Sequence, residues 1–317
     1  MSTVLETTGL SKRYGRTWAL QDCTLALPSG RVAALVGPNG AGKTTLLLLC
    51  VGLLDPTAGS VQVFGRSPHQ QAAETLPRLS FVAQDHPLYK DFTVSDLLTL
   101  GRRLNPRWDD ALARARMQHL GIPLTRPTGK LSGGQQAQVA LVLALAKRPD
   151  LLLLDEPLAS LDPLARRDFL RTLMDAQLET GQTVLLSSHI IGDLERVCDY
   201  LIILSAAHVQ LAGDINEIAR THKRLVGPRQ DVAAIARVHT IIETSHTARQ
   251  TTLLVRTSGP IVDTSWEVQE ASLEDIVLAY LTQQAAEATK ATERMQAPLP
   301  AAQEPQGLEQ EIEEVEL

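Results

Sequence analysis

Aromatic residues are scarce. Phe, Trp and Tyr together make up 3% of the 317 residues, against 44% hydrophobic residues overall, so a core has to be built from aliphatic side chains. That amount of apolar sequence suits one large globular domain with additions. Cysteine is scarce as well. Cys23, Cys50 and Cys198 lie far apart and form no CxxC pair, which argues against disulfide or CxxC chemistry and reads as buried free thiols in a reducing compartment. The first residues, MSTVLETTGL, lack the basic segment and apolar stretch of a signal peptide. The longest apolar stretches, Leu46–Leu54 and Val139–Ala146, reach about half of the ~20 residues needed to cross a bilayer. A soluble protein is expected, and any membrane pore it serves is a different chain. A surplus of positive charge is also missing. The net charge is −6, and residues 281–317, with eight Glu against one Lys and one Arg, carry all of it. The other 280 residues sum to neutral, which argues against a basic nucleic-acid surface as the main function.

What is present is an alternation of strands and helices. Residues 1–84 read as strands and turns around one helix. Val32–Val36 is a buried strand feeding a glycine-rich loop, and Thr44–Leu54 is the helix after it. Leu79–Ala83 reads as a further strand, stopping at Gln84. Residues 88–150 change character, with helical patterning over Ser95–Arg103, Asp109–Leu120 and Ser132–Arg148, punctuated by Asn105-Pro106, Gly121–Pro123 and Pro149. Leu151–Leu154 is a continuous aliphatic run of the kind covered on both faces of a parallel sheet. Asp162 caps a helix with Pro163 in its first turn and Gly181 at its end. Thr183–Ser187 and Leu201–Ser205 supply further strands. The expected fold is α/β, with a mostly parallel sheet, an antiparallel β portion and an inserted helical subdomain near residues 88–150, all within residues 1–220. Residues 221–280 read as a small α+β appendage, with strands at Thr251–Arg256 and Trp266–Gln269 and an amphipathic helix at Leu273–Tyr280. Residues 281–317, rich in Ala, Gln, Glu and Pro, are expected to be disordered.

The loop Gly37-Pro38-Asn39-Gly40-Ala41-Gly42-Lys43-Thr44-Thr45 fits the phosphate-binding pattern G-x-x-x-x-G-K-[ST]. Its glycines let successive backbone N–H groups face one anion, and the following helix adds the positive end of its dipole. Lys43 is expected on the β- and γ-phosphates and Thr44 on Mg²⁺. Asp155 and Glu156 close the strand Leu151–Leu154, at the crevice where α/β sheets bind ligands. Asp155 is the candidate Mg²⁺ residue and Glu156 the candidate general base. Leu131-Ser132-Gly133-Gly134-Gln135 opens a helix, with Ser132 as N-cap and Gln135 at capping-box spacing. Its free N–H groups point outward, suited to an anion.

The pairing of the phosphate loop with LSGGQ resembles the ATP-binding cassette (ABC) family, over residues 1–220. The resemblance implies a P-loop NTPase core with a RecA-like sheet, ATP and Mg²⁺ as ligands, and ATP hydrolysis that drives a separate transmembrane permease. It places Ser132, Gly133, Gly134 and Gln135 on the γ-phosphate held by an opposite subunit, so that a head-to-tail dimer encloses two ATP molecules. It further implies that Tyr14 stacks on adenine, that Gln84 senses Mg²⁺ and the attacking water, that Asp162 lies in a segment crossing the dimer, and that His189 touches the γ-phosphate. The permease would dock near Asp85–Val94, on the inner face of the cell membrane. Residues 190–280 loosely resemble antibiotic-exporter ATPases, which favours export. Two positions depart from the family. Gln138 and Leu143 stand where arginines are usual, which bears on signalling between subunits and leaves a heterodimer open. A cassette ATPase acting on ribosomes or DNA is the alternative, disfavoured by a single cassette, a short insertion and a neutral body. A kinase or GTPase on the same loop is disfavoured by LSGGQ and His189.

Overall fold

The computed structural model describes residues 2–229, 232–261 and 263–283. The chain opens with a long hairpin of β1 (Thr3–Tyr14) and β2 (Thr17–Pro28), followed by β3 (Val32–Val36), α1 (Lys43–Cys50), β4 (Ala58–Val63), α2 (Ala72–Thr75) and β5 (Leu79–Val82). Three helices come next: α3 (Val94–Leu104), α4 (Asp110–His119) and α5 (Gly133–Ala146). Then follow β6 (Leu151–Leu154), α6 (Pro163–Thr180), β7 (Thr183–Ser188), α7 (Ile191–Leu194), β8 (Tyr200–Ser205), β9 (His208–Asp214) and α8 (Ile215–Thr221). The last elements are β10 (His222–Pro228), α9 (Ala233–Val238), β11 (Thr240–His246), β12 (Gln250–Arg256), β13 (Glu267–Glu270) and a helix at residues 273–283.

The central sheet has the order β5-β6-β7-β3-β8-β9, parallel throughout except for the antiparallel edge strand β9. Its inner strands are largely apolar on both faces, and their alternation sorts the side chains into two cores. Ala34, Leu152, Leu154, Val184, Leu186 and Ile203 join Leu141 and Leu145 of α5 and Phe169 and Leu173 of α6 on one face. Leu35, Leu151, Leu153, Leu185 and Ile202 meet Leu46, Leu47 and Leu49 of α1 and the antiparallel sheet β2-β1-β4 on the other. The fold is thus the expected α/β P-loop architecture, with aliphatic burial doing the work that aromatics do elsewhere. All three cysteines are free and buried, and burial pushes the Cys50 thiol up to about 12.

Helix α5 belongs to two cores at once. Ala137, Leu141 and Leu145 face the sheet, while Val139, Val142 and Ala146 face Leu97 and Leu98 of α3 and Met117 of α4. A helix apolar all round is a buried one, and this one ties the α3–α4 unit to the sheet. The C-terminal strands form an antiparallel sheet, β11-β12-β10-β13. Leu225, Leu253, Val255 and Trp266 pack with Ile235 of α9 on one face, and Leu254 and Ile242 join the main core together with Ile276 and Val277.

Some boundaries differ from expectation. Helix α1 stops at Cys50 rather than running to Leu54, because Gly52 turns into the left-handed region at φ 73°, where a Cβ would also lie 2.8 Å from the Pro68 carbonyl oxygen. The last helix continues through residue 283, so residues 281–283, read from sequence as the start of a disordered tail, are helical. The remainder of that tail, 284–317, lies outside the described residues.

Candidate nucleotide site

Strand β3 delivers the chain into Gly37 and α1 begins at Lys43, so the glycine loop spans a strand end and a helix start. Gly40 and Gly42 take φ of 82° and 103°, where L side chains are strained. At Gly42 a Cβ would also lie 2.2 Å from the Ala19 carbonyl oxygen of β2. The hairpin therefore presses directly on the loop, and the position admits only glycine.

Lys43 is buried. Its Nζ donates to the carbonyls of Gly37 (2.8 Å) and Pro38 (3.2 Å) and lies 3.2 Å from Glu156 Oε1. That last contact is an ion pair without hydrogen-bond geometry, since Oε1 has no hydrogen-bond partner. The other oxygen, Oε2, is 2.8 Å from His189 Nδ1. Glu156 is thus held between a lysine and a histidine, on a backbone at φ 45°. A non-glycine residue there costs on the order of 1 kcal/mol and marks a position fixed by its surroundings.

Ser187, which sequence reading did not single out as a site residue, does the fixing. Its hydroxyl accepts from the Glu156 N–H (2.7 Å) and donates to Asp155 Oδ1 (2.8 Å), and it is fully buried. The other oxygen of Asp155 accepts from Thr44 Oγ1 at 2.7 Å. Parallel pairing of β6 with β7 puts Leu154 opposite Leu186, and one residue further along both strands Asp155 meets Ser187. The only local signal was a serine at the C-terminal end of a buried strand.

A cavity of about 450 Å³ is lined by Asn39, Gly40, Gly42, Lys43, Thr44, Thr45, Gln84, Glu156 and His189, together with Ala19. The structure thus brings the loop, the candidate base, the histidine and Gln84 to one place. Gln84 arrives because β5 pairs with β6, Val82 lying opposite Leu154. Tyr14 does not line this cavity. It stands half-exposed at the turn of the β1–β2 hairpin, paired with Thr17, two residues before Ala19, with Lys12 Nζ 5.5 Å from its ring.

Asp162 and the LSGGQ segment are elsewhere. The capping box forms as expected: Gln135 N–H donates to Ser132 Oγ (3.2 Å), and Ser132 N–H donates to Gln135 Oε1 (3.1 Å). Ser132, Gly134 and Gln135 share a separate cavity of about 210 Å³ with Asp162 and Gln138. The Asp162 carboxylate caps α6, accepting from the N–H groups of Leu164 and Ala165 at 3.0 Å. Asp162 therefore sits with the LSGGQ segment and not with the phosphate loop of its own chain. Gln138 is buried there with no hydrogen-bond partner for either amide atom. Leu143 is half-buried, packed against the core of the helical unit.

The chemistry of the first cavity is that of a polyphosphate and a hard cation. Thr44 and Asp155 offer a hydroxyl and a carboxylate within one hydrogen bond of each other. This suits Mg²⁺, which keeps several waters and takes few protein ligands beside substrate phosphates. No group of three or more His, Cys, Asp or Glu able to hold a metal occurs among the described residues. None of the described helices is long and apolar enough to cross a membrane.

Comparison with known proteins agrees with this chemistry. The family model described as ABC transporter matches residues 20–159. The sulfate/thiosulfate import ATP-binding protein CysA of Yersinia pseudotuberculosis is 35% identical over 225 residues, 68% of this chain and 62% of the relative. The protein of the same name from Escherichia coli K12 is 33% identical over 225 residues, 68% of this chain and 61% of the relative. The chain thus spans about three fifths of the length of these curated relatives. Among solved structures, one described as the ATP binding subunit of an ABC transporter superposes with a TM-score of 0.62 at 28% identity, over 69% of this chain and 92% of that one. CbiO1 of Clostridium perfringens, described as part of the ABC transporter complex cbiONQ, does so with a TM-score of 0.60 at 27% identity, over 69% and 91%.

Proposed function

This chain belongs to the ABC transporter family, and on that premise we propose that it binds ATP with Mg²⁺, hydrolyses it, and powers a separate membrane-embedded partner from the cytoplasmic side. The observation that carries the reading is Glu156, wedged between Lys43 and His189 at the mouth of the glycine loop and beside the Thr44–Asp155 pair.

In this reading the loop N–H groups and Lys43 hold the β- and γ-phosphates. Thr44 and Asp155 hold Mg²⁺, with Gln84 beside them; when bound, the cation neutralises charge on the phosphate oxygens. Glu156 accepts a proton from the water that attacks the γ-phosphorus. His189 orients the carboxylate through Oε2 and faces the departing phosphate. Ser187 fixes both acidic residues, which gives a direct test. Ser187→Ala strips a partner from Asp155 and from the Glu156 N–H, each loss being worth about 1–3 kcal/mol. ATP turnover in that variant is expected to fall by about tenfold or more, at 1.4 kcal/mol per decade. Wild-type turnover would remove Ser187 from the positioning role.

The separation of Ser132–Gln135 and Asp162 from the phosphate loop supports a head-to-tail dimer, in which each chain's signature segment meets the nucleotide of the other. Complementation tests it. Lys43→Ala breaks the loop of its own chain and Ser132→Arg breaks the signature it offers, and each alone is expected to be inactive. Mixed, they form a dimer with one intact composite site and should regain ATPase activity. Mixed dimers without recovered activity would rule the arrangement out.

The direction of transport is a finer matter. By resemblance, residues 190–280 favour export, whereas both sequence relatives described above are named for import. We take import as the better supported direction, because those relatives match over 225 residues at 35% and 33% identity. Uptake by vesicles carrying the protein and its membrane partner, with ATP on the outside or the inside, separates the two.

A further inference from the structure

The parallel strands have a second end, away from the glycine loop. Arg78 directly precedes β5, Asp150 precedes β6 and Gln182 precedes β7. With Phe64, Arg107 and Arg148 these residues line a cavity of about 450 Å³, large enough for a small ligand. Arg107 comes from the turn between α3 and α4, and Arg148 lies just past α5. The cavity therefore sits where the helical unit joins the sheet. The ATP-binding reading makes no use of it.

Its walls are rich in donors. Asp150 accepts from Arg78 Nε (2.5 Å) and Arg107 Nη2 (2.9 Å), and Asp109 accepts from Nε and Nη2 of Arg148 (3.0 and 2.6 Å). Three guanidinium groups are thus set against two carboxylates, and much of their capacity is left over. Nη1 and Nη2 of Arg78, Nε and Nη1 of Arg107, and Nη1 of Arg148 have no acceptor among the described residues. Arg78 Cζ lies 4.0 Å from the centre of the Phe64 ring, which supports the group while its edge stays able to donate. Arg148 takes φ 53° at the end of α5, a place that helix ends usually give to glycine. Gln182 adds a different kind of sign. It is 5% exposed, and its Nε2 has no hydrogen-bond partner. A buried amide donor left unpaired is uncommon and points to an acceptor supplied from outside the chain.

We propose that this cavity binds a tetrahedral oxyanion, a phosphate or sulfate group, on Arg78, Arg107 and Arg148 with Gln182 at its wall. A carboxylate is served by a single guanidinium fork. A tetrahedral oxyanion presents oxygens in several directions at once, which suits forks arriving from three separate segments. The bound group bridges the helical unit, through Arg107 and Arg148, to the start of the sheet, through Arg78 and Gln182. None of these residues lines the cavity at the glycine loop, so the proposal stands apart from the ATP-binding reading.

The test is modification of arginines by phenylglyoxal on the full-length protein without nucleotide, mapped by mass spectrometry. Inorganic phosphate or sulfate is added at an ionic strength matched with sodium chloride. Both anions are expected to slow modification of Arg78, Arg107 and Arg148 by tenfold or more and to leave Arg171, an exposed arginine on α6, unchanged. Arg107→Gln should abolish the protection of Arg78 and Arg148, whereas Lys43→Ala, which alters the glycine loop, should keep it. Glycerol 3-phosphate protecting at lower concentration than phosphate upholds the site and assigns it to a phosphate monoester. Equal or weaker protection upholds it for the free ion. Modification at the chloride rate in phosphate and in sulfate overturns the proposal, as does equal slowing of Arg171. Protection that survives Arg107→Gln overturns it too. Protection lost in Lys43→Ala overturns it in favour of the glycine loop as the place where the anion binds.

Discussion

Glu156→Gln is expected to lower ATP turnover by about 10²–10⁴-fold, the scale of a positioned general base, while leaving ATP affinity close to that of the wild type. The replacement keeps shape and length. The backbone N–H stays on Ser187 Oγ, and the side-chain amide still reaches His189, which stands 2.8 Å from the present carboxylate. What is lost is the group able to take a proton from water. In the proposed function the phosphate contacts come from the loop and Lys43, so binding should survive and the nucleotide should persist unhydrolysed. If the γ-phosphate is contacted by both chains, the variant should also accumulate as an ATP-dependent dimer, visible by size-exclusion chromatography. Single-turnover hydrolysis separates this from slow product release, because chemistry itself should slow. Near-normal turnover would take Glu156 out of the role.

The residues just invoked show which parts of the site were legible in the sequence. The phosphate loop, Asp155-Glu156 and LSGGQ are contiguous, so each could be picked out locally, while the meeting of LSGGQ with an opposite subunit came only from the family resemblance. The capping box of Ser132 and Gln135 and the cap at Asp162 formed as read, since both depend on residues two or three positions apart. Ser187 was not legible as a positioning residue because its meeting with Asp155 is fixed by the parallel register of β6 and β7, and nothing local to either strand writes that register. The same holds for the left-handed backbone of Glu156. In the fold, the fully buried strands β3 and β6 were plain from their aliphatic runs. Strand β9 was not, because an antiparallel edge with half-exposed side chains, HVQLAGD, shows neither a continuous run nor a clean alternation. Strands β10 and β11 escaped for a related reason. Their sequences, HKRLVGP and TIIETSH, place few apolar residues at period two.

Lys43→Ala should act on binding where Glu156→Gln acts on chemistry. The ammonium is 6% exposed and spends its donors on two loop carbonyls, with Glu156 3.2 Å away. A lysine so placed is already desolvated and aimed, and each charge-assisted hydrogen bond it gives to a phosphate is worth about 1.5–3 kcal/mol. Its loss should weaken ATP binding by about 10–10²-fold per bond forgone, at 1.4 kcal/mol per decade. Turnover at saturating ATP should fall as well, since in the proposed mechanism the same charge faces the phosphoryl group as it leaves. The ion pair makes a second, independent demand. Removing Lys43 leaves a buried carboxylate with only His189 beside it, so the single variant should melt lower than the wild type even without nucleotide. Adding Glu156→Gln removes that uncompensated charge, and the double variant should recover part of the loss. The coupling expected for groups in contact is about 0.5–3 kcal/mol. Additive melting shifts would show that the Lys43–Glu156 contact contributes nothing to stability. Wild-type ATP affinity in Lys43→Ala would be the graver result, because it would mean that the glycine loop is not where the phosphates bind.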